Sequence, residues 1–207
     1  VNVERPRTRI QKKNRETILD AALAVFSAEG FRGATLDQIA ETAGLSKPNL
    51  LYYFASKEAI YSELLSTLLD TWLDPLRALD EAGDPVDEIV GYVMRKLQMS
   101  RDMPRESRLF AQEIVQGAPR ILEQIEGPLR RLVDDKAALV TRWIDTGRIA
   151  ALDPYHLIFS IWATTQHYAD FNTQVCSILK PEGDAHMDDA ATFLSAFYRR
   201  ALDPRQL

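Results

Sequence analysis

Apolar residues recur at helical spacing through most of this chain. Ile18, Ala21, Ala22, Val25 and Phe26 fall at i, i+3, i+4, i+7 and i+8, which predicts a helix over about residues 9–29 ending at Gly30. Ile60, Leu64, Leu65, Leu68, Leu69, Trp72 and Leu76 keep the same period in a long helix behind Ser56, a good N-cap. Asp84-Pro85 and Asp153-Pro154 each open another, because Asp caps well and Pro is favoured at the first helical position. Pro104, Pro119 and Pro128, with Gly117 and Gly127 nearby, mark further starts or kinks. No segment alternates with period two, and no Asn-Gly or Asp-Gly hairpin signal occurs. The expectation is an all-α chain of about nine helices.

Between the first and the long helix, residues Thr35 to Lys57 read TLDQIAETAGLSKPNLLYYFASK. Thr35 is an N-cap, and Leu36, Ile39 and Ala40 stripe one short helix. Ala43-Gly44-Leu45 breaks it, since Gly44 is free to take positive φ. Ser46 caps a second helix, with Pro48 in its first turn, where a missing N–H costs nothing. Two helices about such a turn make the helix-turn-helix unit, whose second helix enters the DNA major groove; a purely structural αα-hairpin shares the turn. The side chains favour DNA. Thr35, Gln38, Ser46, Lys47, Asn49, Tyr52, Tyr53 and Lys57 put hydroxyls, amides and cations at the rims of both helices, and such groups reach phosphates and base edges. Lys47 and Asn49 are best placed for base edges, Thr35, Tyr52, Tyr53 and Lys57 for phosphates.

Charge supports that reading. Arg5, Arg7, Arg9, Lys12, Lys13 and Arg15 crowd the first fifteen residues against a single acid, Glu4. Residues 1–57 carry nine Lys/Arg and six Asp/Glu, whereas the remainder carries sixteen and twenty-four, so the overall −5 hides a basic head on an acidic body. Local positive charge suits one docking face, and the acidic whole argues against indiscriminate nucleic-acid binding. The residues ahead of the hairpin are read as a phosphate-reaching arm rather than a solvated tail.

Composition changes the picture less. At 207 residues, 46% hydrophobic and 27% charged, the chain has an ordinary globular profile in one or two domains. Cys176, the single cysteine, forms no internal disulfide and fits a reducing compartment. No stretch approaches the roughly 20 apolar residues of a membrane span, and no apolar signal region opens the sequence, so a cytoplasmic protein is expected. His156, His167 and His186 have no metal-binding spacing, so no metal is expected. No phosphate loop, Gly-x-Ser-x-Gly elbow or Cys-His pair is present, and an enzyme has no residue to stand on. A helical lipid- or partner-binding module is the stronger rival, but it leaves the basic arm and Lys47-Pro48-Asn49 without a purpose.

The segment LSKPNLLYYFASKEAIY, from Leu45 to Tyr61, resembles the TetR family of bacterial repressors in its turn, double tyrosine and following Ser-Lys-Glu. The resemblance implies a three-helix DNA-binding head and a helical ligand-binding body of six helices here, acting as a homodimer on a palindromic operator without a cofactor. The division is expected at 1–56 and 57–207, where composition turns from basic to acidic. SRLFAQEIVQGAP (Ser107 to Pro119), LIFSIWATTQHYADF (Leu157 to Phe171) and Trp72 resemble the pyrimidine-responsive branch, which implies uracil or thymine as effector. Trp72, Trp162, Gln166 and His167 are the ligand candidates. Trp162 and Gln166 are four apart, hence neighbours on one helix surface. An indole offers a flat ring a stacking surface, and a glutamine amide pairs with adjacent N–H and C=O groups. The alternatives are that both indoles are core, or that the ligand is a different small apolar molecule.

A broad apolar stripe near the end of the chain, Ala190, Phe193, Leu194, Phe197, Tyr198 and Ala201, needs a partner surface. The resemblance implies a four-helix dimer interface from about residues 154–175 and 187–203 of each subunit.

Overall fold

The computed structural model describes residues 9–206, and among them the fold is all-helical with no strand. The helices are α1 (Arg9–Gly33), α2 (Leu36–Thr42), α3 (Lys47–Tyr53), α4 (Lys57–Arg77), α5 (Pro85–Asp102), α6 (Pro104–Val115), α7 (Leu122–Gln124), α8 (Arg130–Asp145), α9 (Pro154–Asp170), α10 (Asn172–Leu179) and α11 (Ala185–Leu202). The described residues thus hold more segments than the nine expected. One extra is α7, a single turn continued by a wider i→i+5 turn at Ile125–Leu129 that accommodates Pro128. The other is α10, separated from α9 at Phe171 (φ −113, ψ 26) with no glycine or proline to announce the break.

The chain divides within α4 into two compact units, one up to Leu68 and one from Leu69. In the first, α1 buries Ile18, Ala21, Ala22, Leu23, Val25 and Phe26. Ile39 of α2, Leu50 of α3 and Ile60 of α4 are likewise fully buried. The Phe26 ring meets Tyr61 edge-on at 4.8 Å. The chain leaves helical geometry at Gly30 (φ 67, ψ 171), where the apolar period stopped, and makes one more turn to Gly33.

In the second unit α5 packs on α9 and α11, while α6 and α8 also lie on α9. Its core holds Ile89, Tyr92, Val93, Leu97, Trp143, Ile158, Ile161, Leu194 and Tyr198. The expected terminal stripe therefore splits. Ala190, Leu194 and Tyr198 turn inward, with the Tyr198 hydroxyl 2.9 Å from Thr164 Oγ1 and 3.2 Å from Ser160 Oγ, whereas Phe193 and Phe197 face outward and stack on each other. A stripe wider than about 100° covers two faces of a helix, and only one of them meets this unit's core.

Candidate nucleic-acid interface and ligand cavity

The helix-turn-helix is built by its caps. Thr35 Oγ1 accepts the Gln38 backbone N–H (3.2 Å), and Gln38 Oε1 accepts the Thr35 backbone N–H (2.8 Å), a reciprocal capping box at the start of α2. At its end the Gly44 and Leu45 N–H groups return to the Glu41 and Ala40 carbonyls (3.0 and 2.9 Å). That closure requires the left-handed conformation Gly44 adopts (φ 67). Ser46 Oγ accepts the Asn49 N–H and starts α3. Leu50 anchors α3 in the core, which leaves Lys47, Asn49, Leu51 and Tyr52 exposed.

The eight expected contact residues lie on this one unit, in different states of engagement. Thr35, Gln38, Ser46, Lys47 and Asn49 are exposed around the turn. The Lys47 ammonium rests on Asp37 Oδ2 at 2.9 Å, an exposed pair of the kind that exchanges readily. Tyr52 is 71% exposed, its hydroxyl accepting from Gln11 Nε2, and its ring stands edge-on to Tyr53. The half-buried Tyr53 accepts from Asn14 Nδ2 (2.7 Å). Lys57 is occupied: its ammonium donates to the Phe31 and Ala34 carbonyls (both 2.8 Å) and lies over the Phe31 ring, tying α4 to the end of α1.

The basic arm is corrected in one place. Arg15 does not reach outward. Its guanidinium forks onto the Glu63 carboxylate, donates to the Tyr53 carbonyl (2.9 Å) and lies 4.0 Å over the Phe54 ring, fastening α1 to α3 and α4. Arg9, Lys12 and Lys13 are exposed on α1, and Arg5 and Arg7 lie outside the described residues.

The second unit contains a cavity of about 670 Å³, within the range that holds small molecules. Leu69, Trp72 and Leu73 of α4, Lys96 of α5, Arg108, Phe110 and Ile114 of α6, Ile125 and Leu129, and Trp162, Gln166 and Asp170 of α9 line it. Three of the four ligand candidates, Trp72, Trp162 and Gln166, thus face one space. The fourth does not. His167, one position on and so about 100° around α9, is exposed and stacks on Phe171 at 5.1 Å.

Both cavity indoles are held by a neighbouring ring. The Trp162 indole N–H donates to the Tyr92 hydroxyl (2.7 Å), and Trp72 packs edge-on against Phe110. Gln166 makes no hydrogen bond with the described residues, so its amide is open to a ligand. Burial pushes the Tyr92 hydroxyl's pKa up, so that it stays neutral beside the indole.

Sequence reading missed the cavity's charges. Lys96 is 4% exposed, and burial pulls its ammonium down to about 8 from 10.5, with Asp170 opposing the shift. Asp170 accepts from Ser107 Oγ (2.6 Å), and burial raises its carboxyl. Arg108 donates to the Ala169 carbonyl (3.2 Å). The signal was Lys96's register: Tyr92, Val93, Lys96, Leu97 and Ser100 share the buried face of α5. Of the other polar candidates, His186 is buried, with Nε2 3.9 Å from Cys176 Sγ and Nδ1 unpartnered. No cluster of three or more metal-ligating side chains occurs among the described residues, and none of their helices is long and apolar enough to cross a membrane.

Comparison with known proteins agrees with this architecture. Residues 18–64 match the pattern of bacterial regulatory proteins of the tetR family, and residues 65–205 match the YcdC-like C-terminal region. The HTH-type transcriptional regulator RutR of Escherichia coli K12 is 51% identical over 169 residues, covering 82% of this chain and 80% of RutR. IcaR, the negative regulator of the biofilm operon icaADBC in Staphylococcus aureus, is 38% identical over 56 residues, 27% of this chain and 30% of its own. The structure of the ketosteroid regulator KstR2 of Mycobacterium tuberculosis superposes with a TM-score of 0.72 at 21% identity over 96% of this chain and 97% of its own, a likeness of fold alone. The chain belongs to the TetR family, a DNA-binding transcriptional regulator close to RutR and not an enzyme.

Proposed function

We propose that this chain is a cytoplasmic repressor that binds a near-palindromic operator as a homodimer and is released by a small pyrimidine such as uracil or thymine. The observation that carries the effector is the convergence of Trp72, Trp162 and the unbonded Gln166 amide on one cavity. A flat ring there gains aromatic surface from the indoles and a donor–acceptor pair from Gln166. The half-identical RutR sequence supports the same branch.

On DNA, α3 enters the major groove. Lys47 leaves Asp37 for a base edge and Asn49 reads its neighbour, while Thr35, Gln38, Ser46, Tyr52 and Tyr53 meet phosphates. Arg9, Lys12 and Lys13 extend the phosphate track, and Lys57 serves the interface by holding the end of α1. The outward phenylalanines Phe159, Phe193 and Phe197 form the dimer face, setting two recognition helices roughly 34–36 Å apart. The ligand acts through α4, whose Leu69, Trp72 and Leu73 line the cavity and whose first turns belong to the DNA-binding unit. Coupling of this kind is worth about 1–3 kcal/mol, or roughly 5–150-fold in operator affinity.

Gel-shift titrations on a duplex selected from a random library test this reading. Lys47→Ala is expected to weaken binding without loss of helicity. Gln166→Leu is expected to bind DNA normally but ignore uracil, at a cost of about 1–3 kcal/mol per unsatisfied group. Uracil response intact in Gln166→Leu, or affinity intact in Lys47→Ala, refutes the corresponding assignment.

A further inference from the structure

The cavity carries more charge and more space than a neutral pyrimidine uses. Lys96, Arg108 and Asp170 all line it, two cations against one anion. Asp170 is engaged by Ser107, and Arg108 by the Ala169 carbonyl. Lys96 has neither kind of partner: the residue is 4% exposed, and its ammonium lies 5.6 Å over the Trp72 ring and meets no hydrogen-bond acceptor among the described residues. A buried cation in that state is costly unless something anionic completes it. At about 670 Å³ the space also accepts a ligand larger than a single unsubstituted ring.

We propose that Lys96 forms an anion subsite in this cavity, and that the effectors this chain binds most tightly are planar rings bearing one carboxylate. The ring lies against Trp72 and Trp162, Gln166 pairs with its polar edge, and the carboxylate takes the ammonium's open donors while neutralising the excess positive charge. Arg108 keeps its place on the Ala169 carbonyl, and Asp170 stays with Ser107. The proposal rests on this cavity being the effector site, but not on the effector being a pyrimidine.

Calorimetry at pH 7 with uracil, uracil-6-carboxylate and benzoate tests it on the intact protein. Uracil-6-carboxylate is expected to bind at least about tenfold tighter than uracil, the worth of one charged hydrogen bond. Lys96→Met is expected to lose that advantage. In the unmutated protein the advantage is also expected to shrink from pH 7 to 9 as Lys96 loses its proton, Arg108 and Asp170 being the other charged groups that line the cavity. Benzoate binding alongside it assigns the subsite to ring carboxylates in general; its silence ties the subsite to the pyrimidine ring, and either supports the proposal. Uracil binding as tightly as its carboxylate overturns the anion subsite and leaves the pyrimidine reading standing. The carboxylate binding without uracil supports the subsite and removes uracil as effector. Silence from all three overturns both.

Discussion

Lys96 shows how a single residue can be costly to the fold and useful to the site. Its ordinary pKa is 10.5, and burial holds it near 8 in the folded chain. Below pH 8 both folded and unfolded chains carry the proton, so the full cost of a buried ammonium is present. Between pH 8 and 10.5 the unfolded chain binds more protons, and stability rises with pH; above that the cost is gone. Lys96→Met is therefore expected to raise unfolding free energy at pH 7 by about 1–3 kcal/mol and to flatten the rise above pH 8. Urea titrations at pH 7, 8.5 and 10 measure both, and a Lys96→Met protein no more stable than the parent at pH 7 contradicts the account. Arg15 makes the opposite case. Its charge suggested an outward contact, but Glu63, Tyr53 and Phe54 surround it, and no feature of residues 9–15 alone foretells a partner 48 positions away.

At the scale of elements, local chemistry was most legible where a cap or turn is made within four residues. The Thr35–Gln38 capping box, Gly44 and the Ser46 cap all stand where side-chain type and spacing put them. Two substitutions grade their importance. Thr35→Ala is expected to cost about 1 kcal/mol by removing one half of the box. Gly44→Val is expected to cost more, because a β-branched residue strains the left-handed conformation that closes the turn (φ 67). Thermal melts of both, beside gel shifts, check the order. A Gly44→Val protein as stable as Thr35→Ala contradicts it. The α9–α10 break was not legible, because no glycine or proline marks it at Phe171; at α7 the sequence marked Gly127 and Pro128 as a kink but not the single turn ahead of them.

At the scale of the molecule, the unused apolar surface sets the next prediction. Phe159, Phe193 and Phe197 are 46%, 61% and 48% exposed, on the two helices α9 and α11. Phe193→Glu with Phe197→Glu is expected to give a folded monomer by sedimentation velocity, with operator affinity reduced at least about tenfold because two half-sites are no longer linked. A dimer unchanged by both substitutions places the interface elsewhere. The sequence by itself determined the all-helical class and the helix-turn-helix with its caps, because these rest on periods and spacings within a few turns of chain, and the likeness of the Leu45–Tyr61 segment to known regulators pointed to the family. It also placed Trp162 and Gln166 together among the ligand candidates, since residues four apart on one helix share a surface whatever surrounds it, whereas Trp72 entered through the resemblance. Only the tertiary structure decided that His167 is left out of the cavity lining, that Arg15 is a clasp, that the terminal stripe divides between core and surface, and that Lys96, Arg108 and Asp170 line one cavity. Those outcomes depend on which face of each helix meets which neighbour. The amphipathic period fixes that direction only to within about a third of a turn, and packing between distant segments selects the rest.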